Sequence, residues 1–391
     1  MLPMKKILVA MTTLYNGGAE RSLVNFLTEL PDDQYNVDLI LFKKEGLFLS
    51  QVPEWVNILE APNALVKLYS PLSKAGIYAP WKIVSNVLCN VIIRKDREKR
   101  YYRWKYFYSP FIPKLSQDYD VAISYVSGEV MYFVQEKVNA RKKYVWIHND
   151  YRTAGHPKKL DIPYFEQMNG IVTVSDKCLK ILNEEFPQFC DKTYCVENIT
   201  SAKGIQEKAN SFDPDEISSE VPSILSIGRL SYQKGFDMAL QGAKLLKNRQ
   251  IVFKWYIIGT GELESELRNK IEELGLEGTV QLLGAKSNPY PYIKKCTVFV
   301  QTSRFEGKSV VIDEAKILNK PILATDYPTI HDQLQGDYNG MIVPISAEGI
   351  ANGLAELLAN QGLREKFSCN LDTDRNSNES EIKKYIEIIE K

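Results

Sequence analysis

The chain reads as an α/β protein built from two domains, each a parallel β-sheet covered by helices, with a cleft between them. Three observations predict this. Its 391 residues are too many for one ordinary core and comfortable for two. Short β-branched runs alternate with longer amphipathic segments, the pattern of parallel sheets. That alternation restarts after a polar stretch just beyond residue 200.

In the first half, residues 7–11, 37–42, 121–126, 144–148 and 171–175 read as strands. Residues 19–30 read as a helix that buries Leu23, Phe26, Leu27 and Leu30 along one stripe. In the second half the strands are 223–227, 253–258, 280–283, 298–301, 321–324 and 340–343. The predicted division is an N-terminal domain over 1–200, a linker over 201–221 and a second domain over 222–375. A helix over 376–391 follows and can return to the first domain. Two stretches, 63–108 and 151–163, read as irregular insertions.

Composition narrows the function classes. A hydrophobic fraction of 44% and a charged fraction of 25% are those of a globular protein. Lys+Arg and Asp+Glu both number 49, which argues against nucleic acid as a partner. Residues 1–200 hold 26 basic and 22 acidic side chains, a faint hint that this half faces something anionic. The six cysteines form no C-x-x-C pair and the histidines are only His148, His156 and His331, so no metal site is expected. Lys5-Lys6 and the run 7–11 read as a first buried strand rather than a leader, because no small-residue cleavage site follows. No run approaches the roughly 18 apolar residues of a spanning helix. The expected setting is cytoplasmic, at the inner face of the membrane, and no cofactor is expected.

Ligands of such sheets bind beyond the carboxyl ends of the strands, so the loops there carry the candidates. After 298–301 comes Phe305-Glu306-Gly307-Lys308-Ser309, opening a helix that contains Glu314. The start of that helix offers backbone N–H groups and a positive dipole end, a seat for a diphosphate. One carboxylate can reach sugar hydroxyls and the other a ribose diol. The plain alternative is that Glu314 faces solvent and Glu306 caps the helix. After 223–227 comes Gly228-Arg229-Leu230, with Lys234 in the same loop. Two cations beside a departing diphosphate can stand in for a metal ion.

These motifs resemble family 4 of the retaining glycosyltransferases, which have the GT-B fold of two Rossmann-like domains. The resemblance rests on Gly228-Arg229-Leu230, Lys234-Gly235-Phe236-Asp237, Ile258-Gly259-Thr260-Gly261-Glu262, Leu283-Gly284, Ser303-x-Phe305-Glu306-Gly307 and Glu314-Ala315, in that order. The first half matches more loosely, through Gly17-Gly18-Ala19-Glu20, Trp146-Ile147-His148-Asn149 and Val172-Thr173-Val174-Ser175. The resemblance implies that the first domain binds an acceptor and the second a nucleotide sugar. It implies Arg229 and Lys234 on the donor diphosphate, Glu314 on the ribose and Glu306 on the transferred sugar. Backbone amides of Gly307, Lys308 and Ser309 would complete that site. Gly17 and Gly18 would face the diphosphate from the first domain, beside Gly228 in the second, and His148 would approach the anomeric centre. Lys308-Ser309 departs from the aromatic or small residue of many relatives, which bears on donor choice. Asn198-Ile199-Thr200 departs from Asn-Gly-Val/Ile.

The implied reaction is retaining transfer of a hexosyl unit to a saccharide or lipid-linked acceptor in cell-surface polysaccharide synthesis. UDP-hexose leads as donor and GDP-mannose follows. With no evident covalent nucleophile, a front-face route is favoured. A nucleotide-sugar 2-epimerase and a non-catalytic nucleotide-sugar-binding protein are the rival readings.

Weaker signals remain. Gly259-Thr260-Gly261 lacks a third glycine, since Glu264 stands there, and reads as a turn near the nucleotide rather than an NAD site. Asp118/Asp120, Asp213/Asp215 and Asp372/Asp374 read as solvated turns. The run 94–108, from Arg94 to Tyr108, mixes cations with aromatics. It suits an anionic membrane surface or a lipid diphosphate; otherwise it is a charged helix with inward-packed rings.

Overall fold

A computed structural model describes residues 4–15, 17–217, 220–371 and 379–391. The chain separates into two compact units. One is built on Ala19–Glu197 together with the preceding strand and the C-terminal residues Ile382–Lys391. The other is built on Asn198–Glu381.

The first unit carries seven strands: β1 Lys5–Met11, β2 Tyr35–Leu41, β3 Asn57–Leu59, β4 Asp118–Ser124, β5 Asn139–Ile147, β6 Gly170–Thr173 and β7 Thr193–Cys195. They pair in the order β3-β2-β1-β4-β5-β6-β7, all parallel. Central β1 lies between β2 and β4, and Ile7–Met11 is buried throughout. Strands covered on both faces read as unbroken apolar runs, which is why β1 was legible. The edge strands β3 and β7, three residues each, are too short to show a pattern and were not expected.

The stretch 63–108 is not irregular. It forms helices Asn63–Tyr69, Ala79–Ile92 and Asp96–Tyr102, then a π-helical stretch Arg103–Tyr108. Leu65, Leu68, Tyr101, Trp104 and Tyr108 enter the main core with Leu8, Ile40, Val145 and Phe133. The second stretch read as an insertion likewise ends in a helix, Lys158–Gln167. The helix Ile382–Glu390 docks on the same unit. Tyr385 is fully buried, its ring 4.8 Å from Phe26 and 5.7 Å from Trp146, while Glu390 pairs with Lys5 at 2.8 Å.

The second unit has six strands: β8 Ser223–Ile227, β9 Lys254–Ile258, β10 Val280–Leu282, β11 Val298–Gln301, β12 Ile322–Thr325 and β13 Met341–Val343. Their order is β10-β9-β8-β11-β12-β13, again all parallel. Alternate strand residues feed two cores, one on each face. Ile224, Trp255, Ile257, Val298 and Val300 pack on one side, Leu225, Tyr256, Ile258 and Phe299 on the other. Part of the stretch 201–221 is helical. The Ser201 hydroxyl accepts a hydrogen bond from Gly204 N–H at 3.3 Å and starts helix Ala202–Ala209. Ile205, Ala209 and Ile217 then join the second of these cores.

Tyr385→Ala is expected to destabilise the first unit by about 3 kcal/mol or more, because a buried aromatic leaves a cavity that its neighbours fill poorly. Urea unfolding followed by tryptophan fluorescence, reporting through Trp146, checks this; an unchanged midpoint would show that the C-terminal helix does not support the sheet.

Candidate active site

The order of the second sheet reverses between β8 and β11: one half of the unit builds outward from β8 through β9, the other from β11 through β12. Loops leaving two such neighbouring strands diverge and open a crevice at their carboxyl ends. The loop after β8 holds Gly228, Arg229 and Lys234; the loop after β11 holds Glu306, Gly307, Lys308 and Ser309. The sequence candidates of the second unit therefore converge on one switch point.

The two loops are tied side chain to side chain. Lys234 Nζ donates to Glu306 Oε1 at 2.6 Å, with both side chains largely buried. Glu306 also accepts from Gln233 Nε2 at 3.0 Å, Gln301 Nε2 at 3.0 Å and Ser303 Oγ at 2.6 Å. Four donors converge on one carboxylate, so it neither caps the helix nor faces water. The Lys234 stem crosses Gly228, where an added Cβ would stand 3.0 Å from it. A second ion pair lies alongside. Arg304 grips Asp237 through two bonds of 2.9 and 2.7 Å and stacks 4.0 Å over the Tyr232 ring. Burial pushes the Asp237 carboxyl up, but the Arg304 hydrogen bonds and charge together with backbone N–H groups outweigh it and hold the group below its ordinary value. Gly235 permits this approach, with φ of 66° and space for no side chain: an added Cβ would lie 2.2 Å from Thr302 O.

Glu314 is 2% exposed and accepts from the Tyr290 hydroxyl at 2.9 Å, so the solvent-facing alternative does not hold. Ser309 precedes helix Val310–Ile317. Its backbone N–H, expected to serve a ligand, is already donated to Gln333 Oε1 at 2.8 Å. Gln333 Nε2 returns bonds to Ser309 O at 2.8 Å and Asp313 Oδ1 at 2.9 Å. A side-chain amide matches the paired donor and acceptor of one residue's backbone, so the Ser309 N–H and C=O are both engaged within the unit. Lys308 Nζ lies 3.8 Å from Asp313. Arg229 is exposed.

The Gly259-Thr260-Gly261 turn has a structural cause. An added Cβ on Gly259 would fall 1.9 Å from Gly228 O, so this glycine lets the post-β9 loop lie directly against the post-β8 loop. Leu230 N–H donates to Thr260 O at 3.0 Å across the same seam.

Gly17 and Gly18, which group with the second unit, stand where helix Gly18–Glu29 opens after β1, the strand at which the first sheet's order reverses toward β4. His148 follows β5, its ring 5.0 Å from Tyr125. Asp118 and Asp120 are not a solvated turn: they open β4, where Asp118 accepts from Asn139 and Asp120 from Lys6 N–H at 2.9 Å. Asp213 pairs with Lys295 at 2.9 Å. Asp372 and Asp374 lie outside the described residues. Gln333, Arg304, Gln301 and Tyr290 were missed as site residues. Gln333 stands 24 positions beyond Ser309 with no periodic signal to link them.

Comparison with known proteins adds a line of evidence. Residues 207–372 match the family described as Glycosyl transferases group 1. An uncharacterized glycosyltransferase of Methanocaldococcus jannaschii is 25% identical over 80% of both chains. The N-acetylgalactosamine-N,N'-diacetylbacillosaminyl-diphospho-undecaprenol 4-alpha-N-acetylgalactosaminyltransferase of Campylobacter jejuni is 33% identical over 46% of this chain and 47% of its own. Among solved structures, Anabaena HepE in complex with UDP and glucose superposes with a TM-score of 0.72 at 14% identity, covering 98% of each chain. A mutant of TarM from S. aureus, in complex with Fondaparinux, alpha-GlcNAc-glycerol and UDP, gives 0.68 at 17% identity over 99% of this chain and 100% of its own.

Gln333→Ala is expected to cost about 1–3 kcal/mol, since it strands the buried Ser309 N–H. Urea unfolding of the variant checks it; unchanged stability would show that the Gln333 bracket is not maintained in solution.

Proposed function

We propose that this chain, which has the GT-B fold and whose residues 207–372 match the glycosyl transferases group 1 family, transfers a hexosyl unit, with retention, from a UDP-sugar to a hydroxyl of a saccharide or lipid-linked acceptor. The observation that carries this reading is the Lys234–Glu306 pair at the switch point of the second sheet, with Glu314 on the helix that follows. Support for the donor comes from solved relatives in complex with UDP. Support for a lipid-linked acceptor and for surface polysaccharide synthesis comes from the Campylobacter jejuni enzyme and from an amylovoran biosynthesis glycosyltransferase of Erwinia amylovora, 30% identical over 45% of this chain.

The roles follow from chemistry. Arg229 and Lys234 meet the diphosphate as negative charge develops on it, the moment at which preorganised cations lower a barrier most. Lys234 is already seated by Glu306, so its ammonium needs little reorganisation. Glu306, while keeping Lys234 seated, is assigned to the sugar hydroxyls, and Glu314, steadied by Tyr290, to the ribose diol. Backbone N–H groups of Gly307 and Lys308 and the dipole of helix Val310–Ile317 complete the anion seat. The departing diphosphate takes the proton of the incoming hydroxyl on the same face of the sugar, which retains configuration without a covalent enzyme intermediate. His148, at the carboxyl end of β5, is the catalytic candidate of the first unit.

A panel of nucleotide sugars offered with saccharide and lipid-diphosphate acceptors, with products read by NMR, tests the reading. An α-linked product from an α-linked donor is expected. Inversion at the anomeric carbon, or epimerisation of donor alone, overturns it.

Glu314→Ala is expected to weaken UDP binding by roughly 1.5–3 kcal/mol, the worth of hydrogen bonds to a charged group. Isothermal titration checks this, and equal affinity for wild type and variant removes the ribose assignment. Glu306→Gln is expected to lower kcat by about 100-fold with UDP affinity changed much less. Turnover should persist after dialysis against EDTA, because cations of the chain neutralise the leaving group; loss that Mg²⁺ or Mn²⁺ restores contradicts this.

A further inference from the structure

The helix Ala79–Ile92 is inside out. Its buried stripe is Lys82, Ser85 and Cys89, one face at i, i+3 and i+7 spacing. Its opposite face shows Ile83, Val84, Val87, Leu88 and Val91 to solvent, with Val87 56% and Val91 80% exposed. Helices on globular proteins turn the apolar stripe inward, so this inversion calls for a non-aqueous partner. Lys82 reinforces it. Its ammonium, the only charge between residues 75 and 93, turns inward to the Ser70 carbonyl and leaves the outer face uncharged.

Cations border this face. From residue 71 to 111 the chain has nine Lys and Arg against two acids, Asp96 and Glu98. Lys74, Arg94, Lys95, Arg100 and Lys105 are exposed. Asp96, the exposed acid, is paired with Lys99 at 2.9 Å. Beside the helix lies a groove of about 790 Å³ with Leu88, Ile92, Tyr106 and Phe107 in its wall, together with Arg94 and Lys95. Most of the run 94–108 is turned inward, leaving Arg94 and Lys95 at its start beside the helix. Tyr101, Trp104 and Tyr108 are core, Arg97 turns to His156 at 3.1 Å, and Arg103 to Asn86 at 2.9 Å.

We propose that the helix Ala79–Ile92 lies in the interface of an anionic lipid bilayer, its Val87–Val91 face among the acyl chains and Arg94 and Lys95 on the headgroups. Fourteen residues are too few to span, and no described helix is long and apolar enough to cross a membrane. An apolar face beside a cationic border is the pattern of an in-plane helix. A second copy fits less well, because a two-fold pairing sets the same cationic border against itself. The inference is independent of donor chemistry.

The test is sedimentation of the full chain with vesicles of equimolar phosphatidylglycerol and phosphatidylcholine, and with phosphatidylcholine alone. Wild type is expected to pellet with the anionic vesicles and to be released by high salt. Val87→Glu with Val91→Glu should weaken binding by about tenfold or more, and Arg94→Gln with Lys95→Gln should erase the preference for the anionic lipid. Val252→Glu, at an exposed valine of the second unit, should bind as wild type does. Matching melting temperatures establish that the variants fold; if the glutamate pair lowers its own, the Arg94/Lys95 pair decides. Wild type remaining in the supernatant overturns the proposal, as does unchanged binding by the folded glutamate pair or, if that pair is unfolded, an unchanged lipid preference in the Arg94/Lys95 pair. So does a dimer in sedimentation velocity that the glutamate pair dissolves, which would make a second copy the occupant.

Discussion

The Lys234–Glu306 ion pair holds the second unit's site together. An ion pair withdrawn from water is costly unless the remaining hydrogen-bonding capacity is also met. Here Gln233, Gln301 and Ser303 meet it on the carboxylate side: Gln233, with Lys234, ties the loop after β8 to the loop after β11, while Gln301 and Ser303 anchor Glu306 to its own strand end. Arg304 and Asp237 repeat the tie further along the same two loops. A loop pair so bound holds its charged side chains already oriented, and preorganised charge is where electrostatic stabilisation has its strength.

That arrangement needs close backbone approach as well as charge. Gly235 lets the first loop touch Thr302, and Gly259 lets the third loop touch Gly228. Behind them Gln333 brackets Ser309 and stiffens the start of helix Val310–Ile317. Residues that a sequence motif presents as ligands thus divide into two groups. Some, such as Lys234 and Glu306, are charged side chains bound to one another, and others hold backbone in place.

The first unit shows a different economy. Its main core recruits a long excursion between β3 and β4, whose rings Tyr101, Trp104 and Tyr108 fill space above the sheet. Because those rings face inward, the excursion's own apolar surplus appears on the preceding helix, where Val87 and Val91 meet solvent. The C-terminal helix closes another part of the unit through Tyr385, more than two hundred residues beyond the rings it stacks on.

Period and order were readable from residues alone: the buried strands β1, β8 and β11, the helix at Gly18–Glu29, and the succession from Gly228 through Lys234 and Glu306 to Glu314. These are local patterns, written in neighbours a few positions apart. Edge strands β3 and β7 were not readable, since three residues show no alternation. Which cation faces which carboxylate was not readable either. Gln333 reaches Ser309, and Arg304 reaches Asp237, only because the parallel order of the sheet brings together loops that lie 20 to 70 residues apart in sequence. The excursion makes the point most sharply. Its composition announced cations and aromatics, but which faced water depended on packing against Phe133 and Leu8, contacts that no window of sequence contains.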